Sequence, residues 1–422
     1  MAVCEMKNDQ PANAEHIQRR LCILTRDIAN WVRGDKEDYD VWAEVVDDEQ
    51  WSYDSLLPYM KMTEEFQHKD RNPEEHGYEG PVFAQTVTST NREYPLRDHV
   101  LQSWNDLGFN TLEGLDANDG EPVGVADLCE NRNNGKRQIA SVVYPLDGIT
   151  VLTDTFVQNI ILATEGETTR AAGVRLANGT EFESRNTILS AGAIRTPQVL
   201  MLSGIGPVEE LEKHDIEVRV ESPEVGRNLI DHAIMDTEWE IRDPAAGWAP
   251  GSGNPLFEEE QYGWGYAQDF MVSGTVPRKG LIENIAVDEG SEPDPATHPL
   301  LKKENRTFLE YVLMYSDRGD KDDGTVITFQ SFLFLLTSRG TVTLNSTDIV
   351  DFPIVDPKYL STAVDRYISR IGLRTLFNFA GSGRTPMSSE ILGDEITPEG
   401  QPALRGDMDD DELNARLFAG SR

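Results

Sequence analysis

The 422-residue sequence lacks the marks of several large protein classes. Its three cysteines, Cys4, Cys22 and Cys129, are too few for a disulfide framework and have no metal-ligand spacing. Apolar runs such as residues 332–336 are far too short to span a bilayer. Neither a P-loop nor a G-x-S-x-G elbow occurs. These absences argue against a disulfide-rich secreted domain, a cysteine metal site, a P-loop enzyme and an α/β-hydrolase.

Positive charge is also scarce. There are 38 Lys and Arg residues against 74 Asp and Glu residues, which gives a net charge of −36 and a pI near 4.5. Phosphates would be repelled, so neither nucleic acid nor an anionic membrane is an expected partner. The composition is typical of a soluble chain with an acidic surface. No signal-peptide core is present at residues 1–7, and compartment and oligomeric state stay open.

A third absence concerns cofactor binding. The pattern G-x-G-x-x-G, which lets a helix amino end approach a pyrophosphate, occurs nowhere in the sequence. Gly-x-Gly pairs such as Gly204–Gly206 lack the third glycine. A nicotinamide-dependent dehydrogenase, which would need this fingerprint, is therefore a weak interpretation.

The most informative segment that is present is residues 190–206, SAGAIRTPQVLMLSGIG. Residues 187–190 before it favour a buried strand. Thr196 and Pro197 favour a helix start, while Gly204 favours its end. A strand, a small-residue turn and a helix start form a common nucleotide site, because helix N–H groups point at the ligand. An ordinary strand-to-helix connection fits the same pattern.

These residues carry a family resemblance. Residues 192–206 resemble the second signature of the glucose-methanol-choline (GMC) flavoprotein oxidoreductases. Further blocks agree in order and spacing with that family: DYDVWA at 38–43, WSYDSLLPY at 51–59, VGRNLIDH at 225–232 and PIVDPKYL at 353–360. The resemblance runs from about residue 31 to the end of the sequence and is weakest between about 240 and 330.

The resemblance implies an α/β fold, α+β overall, with FAD as the cofactor. An incomplete Rossmann-like FAD-binding lobe is expected at 31–235, and a substrate-binding lobe with a mostly antiparallel sheet at 236–345. A late strand and helix region with an acidic tail follows at 346–422, and residues 1–30 do not resemble the family.

Four cofactor-binding residues follow from the resemblance. Val157 falls where the family sets backbone against the flavin's adenine, and Ser190, Ala191 and Gly192 fall where the chain passes the adenosine half. Each also has a purely structural interpretation. Val157 can be read as an inward-facing strand valine, and the small residues 190–192 as a site of tight helix–strand packing. His232 belongs to a run that is structural in the family, so we expect no chemistry from it.

The sequence departs from the family at both ends. The glycine fingerprint is missing near the start, which leaves FAD affinity open. The family's catalytic His block should lie beyond residues 409–413, but no histidine follows His298. Hydride transfer from an alcohol needs a base near the flavin, and we therefore assign no catalytic residue.

Two functions remain. The first is FAD-dependent oxidation of a small-molecule alcohol (a CH–OH donor) by hydride transfer to flavin, by analogy an aryl alcohol or secondary metabolite of a fungus. The second is a truncated, inactive homologue that binds no flavin.

Local patterns give further expectations. Amphipathic periodicity predicts helices at 95–110 and 364–379. Trp42, Trp51 and Tyr53 are expected in the core. The tail at 394–412 is acidic and rich in Gly and Pro, and is expected to be mobile.

Overall fold

The structure is a computed structural model that describes residues 29–68, 72–166, 168–317 and 323–419. Within these residues the helices α1 to α9 span Lys36–Val46, Tyr53–Thr63, Arg97–Asp106, Ala140–Val143, Gly192–Leu202, Val208–Lys213, Arg278–Glu289, Ala363–Ala380 and Asp410–Ala419. The strands β1 to β18 span Glu64–Phe66, Val82–Thr86, Gly124–Asp127, Cys129–Glu130, Arg132–Asn133, Lys136–Arg137, Val157–Glu165, Thr168–Leu176, Glu181–Glu183, Ile205–Gly206, Val220–Glu221, Ile234–Ile241, Phe270–Gly274, Leu309–Met314, Val326–Leu333, Thr341–Thr343, Ile354–Asp356 and Leu392–Ile396.

Contacts group the described chain into two compact units. The first unit comprises residues 146–231 and 337–361, and the second comprises residues 29–145, 232–336 and 362–419. Each unit is thus built from separated stretches of chain. No helix in the described part of the chain has the length and apolar character needed to cross a membrane.

The second unit is organised by a six-stranded sheet. Its strand order is β18-β12-β15-β14-β13-β3, and every pairing in it is antiparallel. This confirms the antiparallel sheet expected of the substrate-binding lobe. Strand β12 aligns with β15 from Ile234 opposite Phe332 to Glu240 opposite Val326, which fixes the side chains that share a face.

One face of this sheet is covered by helices. Side chains alternate along a strand, so Tyr311 of β14 and Phe329 of β15 point the same way. Both rings contact Trp104 of α3, with centroids 5.2 and 5.7 Å away, and Phe329 and Trp104 also contact Phe379 of α8. Helix α8 lies close to this face at Gly372, where an added Cβ would lie 2.6 Å from Met235 Cε and would force that side chain to shift. The helices predicted at 95–110 and 364–379 are therefore confirmed, and they build this core.

The first unit contains an antiparallel three-stranded sheet in the order β7-β8-β9. The turn between β8 and β9 uses Gly179, whose φ of +85° is readily adopted only by glycine. Helix α5 packs against β7 through Ile160 and Val199, together with Ile349.

Three local expectations are wrong. Residues 187–190 form no strand, and Ile188 is 90% exposed, because no described strand pairs with this segment. Trp42 and Trp51 are about half exposed, whereas Tyr53 is buried as expected. The tail expected to be mobile contributes β18, which pairs with β12.

A buried ionic network lies near the start of the second unit. Glu64, fully buried, accepts hydrogen bonds from Arg33 Nη2 at 2.6 Å, Trp31 Nε1 at 2.9 Å and the Gly77 N–H at 2.9 Å. His76 lies between two carboxylates, with Nδ1 3.1 Å from Glu64 and Nε2 2.7 Å from Asp116.

Burial disfavours the charged forms of His76 and Glu64, but their hydrogen-bond partners favour these forms more strongly. Burial alone would lower the pKa of His76, yet its hydrogen bonds to Asp116 and Glu64 raise that pKa above the ordinary value. Burial would likewise raise the pKa of Glu64, but the bonds from His76, Arg33 and Trp31 hold it below the ordinary value. The network is therefore most stable with His76 protonated and Glu64 ionised.

Replacing the central aromatic ring should destabilise the second unit. Trp104 is 1% exposed, so Trp104→Ala leaves a large cavity and should lower the free energy of unfolding by about 3–5 kcal/mol. The matched control, Trp51→Ala at a half-exposed site, should change it by less than about 1 kcal/mol. Urea unfolding would measure both, and equal losses would contradict this account of the core.

The network also predicts a pH dependence. Because the folded pKa of His76 is raised, its stabilisation is complete below the unfolded pKa of about 6.5 and is lost as pH rises through the folded pKa. In His76→Gln the part of this decline in unfolding free energy that comes from His76 should disappear, so the decline should become shallower. His298→Gln, at a histidine paired with Glu289 on the surface, should keep the full decline. Unfolding measured from pH 6 upward tests this, and an unchanged decline in His76→Gln would refute it.

Candidate functional site

Helix α5 is held in place by polar contacts at both ends. Near its start, Arg195 Nη1 donates to the Ile349 carbonyl at 2.7 Å, and Gln198 Nε2 donates to the Asp351 carbonyl at 2.8 Å. At its end, Ser203 Oγ accepts from the Ile160 N–H at 2.7 Å. Gly204 then takes a φ of +78°, so the predicted helix end is confirmed.

The predicted start of this helix is wrong. The helix begins at Gly192, four residues before the expected Thr196 cap, and Pro197 lies inside it. Gly192 makes the early start possible by adopting a φ of +78°. Pro197 has no N–H to donate to the Ala193 carbonyl, so that carbonyl lacks its usual partner within the helix.

An open cleft of about 610 Å³ lies beside the first turns of α5. We call it the α5 cleft. Its walls are the helix, one loop and one residue of β16: Gly192, Ala193, Thr196, Pro197, Leu200, Val225, Gly226, Arg227, Asn228, Leu229, Ile230 and Val342. All of these residues belong to the first unit.

The loop wall is fixed by backbone geometry. Gly226 has a φ of +77°, and a Cβ at this position would lie 2.2 Å from the Val342 carbonyl oxygen. The Val342 N–H donates to the Gly226 carbonyl at 2.7 Å, and Leu229 exchanges two hydrogen bonds with Gly340. The Tyr359 hydroxyl donates to the Asp231 carboxylate at the end of the loop.

The four predicted cofactor-binding residues lie in different surroundings. Gly192 lines the α5 cleft, whereas Val157, Ser190 and Ala191 are not among its lining residues. Val157 is half-buried at the start of β7, and Ser190 is exposed just before the helix. Their roles stay predictions.

The sequence interpretation missed the loop as a wall of the cleft. The run VGRNLI at 225–230 was recognised only as a family block. Its signal was conformational, because Gly226 and Asn228 both have positive φ and both are residue types that favour such turns.

Four of the described histidines lie beside carboxylates or an aromatic ring. His76 is fully committed to Glu64 and Asp116. His232 is exposed, and its ring stands edge-on to Phe334 with centroids 4.7 Å apart. His214 and His298 lie beside Glu210 and Glu289. The absence of a catalytic role for His232 stays a prediction.

Comparison with known proteins identifies the class first. The fold is that of FAD-binding oxidoreductases: a formate oxidase structure from Aspergillus oryzae RIB40 superimposes with a TM-score of 0.75 over 93% of this chain and 70% of its own, at 23% identity. Residues 27–234 match the model of the family described as GMC oxidoreductase.

Two curated relatives agree with this match. The GMC-type oxidoreductase acuG of Aspergillus aculeatus is 32% identical over 395 residues, 92% of this chain and 70% of that protein. Pyranose dehydrogenase 2 of Leucoagaricus meleagris is 28% identical over 92% of this chain and 66% of that protein. The chain belongs to the GMC oxidoreductase family, as its motifs indicated. It spans 70 and 66% of the length of these two relatives, and between 59 and 65% of the length of six other curated relatives.

FAD is the cofactor of this family. The start of α5 offers room and positive charge to an anionic group. Apart from its chain neighbours and its own helix, no described part of the chain lies within 4 Å of the place where a Cβ of Gly192 would stand, so a ligand has room to approach the helix amino end. Free N–H groups and the helix dipole favour an anion there. The exposed Arg227 adds a positive charge to the opposite wall.

The close contact at Gly226 should make that position far less tolerant than Gly192. Gly192→Ala meets only the cost of a positive φ, about 1–2 kcal/mol. Gly226→Ala adds a collision with the Val342 carbonyl and should cost about 3 kcal/mol or more. Hydrogen exchange of the α5 amides would report both losses. Similar protection in the two variants would show that the loop around Gly226 can move to accept a Cβ without loss of stability.

Proposed function

We propose that this chain holds FAD at the α5 cleft and serves the oxidation of an alcohol, a CH–OH donor, by hydride transfer to the flavin. The observation that carries the proposal is Gly192, a helix amino end facing open space within a cleft of the family-matched region. In the proposed complex Gly192, Ser190 and Ala191 lie along the adenosine half of FAD, and the Val157 backbone meets its adenine.

Bound FAD would supply the hydride acceptor. The chain's own contribution is binding: helix N–H groups and Arg227 offset phosphate charge, and the apolar side chains of Leu200, Val225 and Ile230 exclude water. We assign no catalytic base to the described histidines, since the family's histidine block is expected after residues 409–413. We propose an aryl alcohol or a related fungal secondary metabolite as the substrate class.

The acidic surface is consistent with a small, uncharged donor. With a net charge of −36, the chain disfavours anionic substrates at long range and gives no advantage in attracting a neutral alcohol. Selectivity among alcohols must then come from short-range contacts.

Flavin binding is the first test. The purified chain, incubated with excess FAD and then freed of unbound cofactor, should keep a visible flavin absorption band. Gly192→Asp places a negative charge at the helix amino end and should weaken FAD binding about tenfold or more, because like charges repel there.

Gly179→Asp is the matched control. Gly179 also has a positive φ and open space around its missing Cβ, but it lies in the β8–β9 turn. The Gly179→Asp variant should bind FAD like the parent chain. A colourless parent chain would contradict the proposal and favour the alternative, a homologue that binds no flavin. Equal weakening of FAD binding by both substitutions would show that the α5 cleft is not the FAD-binding site.

A further inference from the structure

The six-stranded sheet of the second unit has a second face, opposite the helices. Tyr311 and Phe329 point toward α3 and α8. Side chains alternate along a strand, so Glu310, next to Tyr311, and Phe332, three residues after Phe329, point to the opposite face. The registers place Ser273, Glu310 and Phe332 side by side across β13, β14 and β15. Asp236 of β12 lies on this face too, where it accepts a hydrogen bond from Gln330 at 2.6 Å.

Glu310 is unlike four other enclosed carboxylates of this unit, each of which pairs with an arginine. Glu64 pairs with Arg33, Glu130 with Arg92, and Asp127 with Arg97. Glu395 pairs with Arg416 in the same way. Among the residues that the structure describes, no cation and no hydrogen-bond donor is recorded at the Glu310 carboxylate.

The immediate surroundings of Glu310 are apolar or neutral. Its cross-strand neighbours are Ser273, which is buried, and the partly exposed ring of Phe332. On the same face, Phe308 just before β14 and Val312 within it are both buried. Burial with no compensating partner raises the pKa of Glu310 to about 7. The side chain keeps some exposure, so a ligand can reach it.

An enclosed carboxylate without a partner is costly, and a ligand that donates a hydrogen bond would offset that cost. We infer that Glu310 is a specificity-determining residue that accepts a hydrogen bond from the donor group of an aromatic ligand whose ring packs against Phe332. The inference rests on the proposed alcohol oxidation for the substrate class, where the donor group is the hydroxyl. An ammonium group offers the same chemistry.

The sign of the pH dependence follows from the ionised form. A carboxylate accepts hydrogen bonds better than a carboxylic acid, so ligand affinity should rise as pH rises through about 7. Among the described residues, the other titratable groups of β12 on this face are Asp236, bonded to Gln330, Glu238 and the exposed Glu240; His232 lies against Phe334. Their positions on or beside β12 separate them from Glu310 by strand β15.

The test is the binding of benzyl alcohol to the purified chain without added FAD. Binding is measured by NMR titration between pH 6 and pH 8. The parent chain should bind it, with affinity rising across this range. Glu310→Gln should weaken binding at pH 8 about tenfold or more and abolish the rise. Glu240→Gln, at an exposed carboxylate of β12, should leave both unchanged. Because no flavin or turnover is involved, failure of FAD binding would not affect this result.

Two further probes separate the sources of binding. Toluene, which has the ring without the hydroxyl, should bind at least about tenfold more weakly than benzyl alcohol. Benzylamine should show the same dependence on Glu310, and stronger binding than the alcohol would assign the site to an ammonium ligand. Equal binding of toluene and benzyl alcohol, or unchanged binding by Glu310→Gln, would overturn the inference.

A ligand-free readout guards against a folding artefact. Replacing an unpaired enclosed carboxylate by its neutral amide should raise the unfolding temperature at pH 8, where the carboxylate is ionised, more than at pH 6. An unfolding temperature that falls at both pH values would show that Glu310 is a structural residue and would contradict the inference.

Discussion

The alternation of side chains along β12–β15 is the constraint on which the second unit depends. It sends Tyr311 and Phe329 into the aromatic core with Trp104, and it necessarily sends Glu310 to the opposite face. A shift of register by one residue would exchange these faces and bury the acidic one. The same geometry that stabilises the fold therefore also leaves one face available for polar chemistry.

Buried carboxylates of this chain differ from surface carboxylates in their pairing with cations. The surface carries a large excess of carboxylates, whereas enclosed carboxylates such as Glu64 and Glu130 are matched to specific arginines. Such pairs add little net stability compared with apolar packing, but losing one partner leaves a costly buried charge. They therefore fix the positions of distant segments, as Arg33 and Glu64 do across 31 residues.

Sequence patterns predicted the features that depend on local or periodic signals. The period of α8, the glycine end of α5 and the antiparallel sheet were all foreseen. The start of α5 was not, because Thr196 and Pro197 mimic a helix start, whereas the helix begins at Gly192 with Ala191 in the cap position and no side-chain cap. The α5 cleft was missed in part because its wall at Gly226 depends on Val342, more than one hundred residues away. Glu310 was missed because a single charge in an apolar strand gives no sign of whether a cation lies opposite it.

Residues 187–190 carry a further consequence. This segment has the composition of a strand, yet it pairs with no strand among the described residues, and Ile188 presents its side chain to solvent. A segment of strand-forming residues without strand partners can pair with strands of other molecules. Self-association at high concentration would then begin in the first unit, and the strong negative charge of the chain would be what opposes it, so that added salt promotes aggregation.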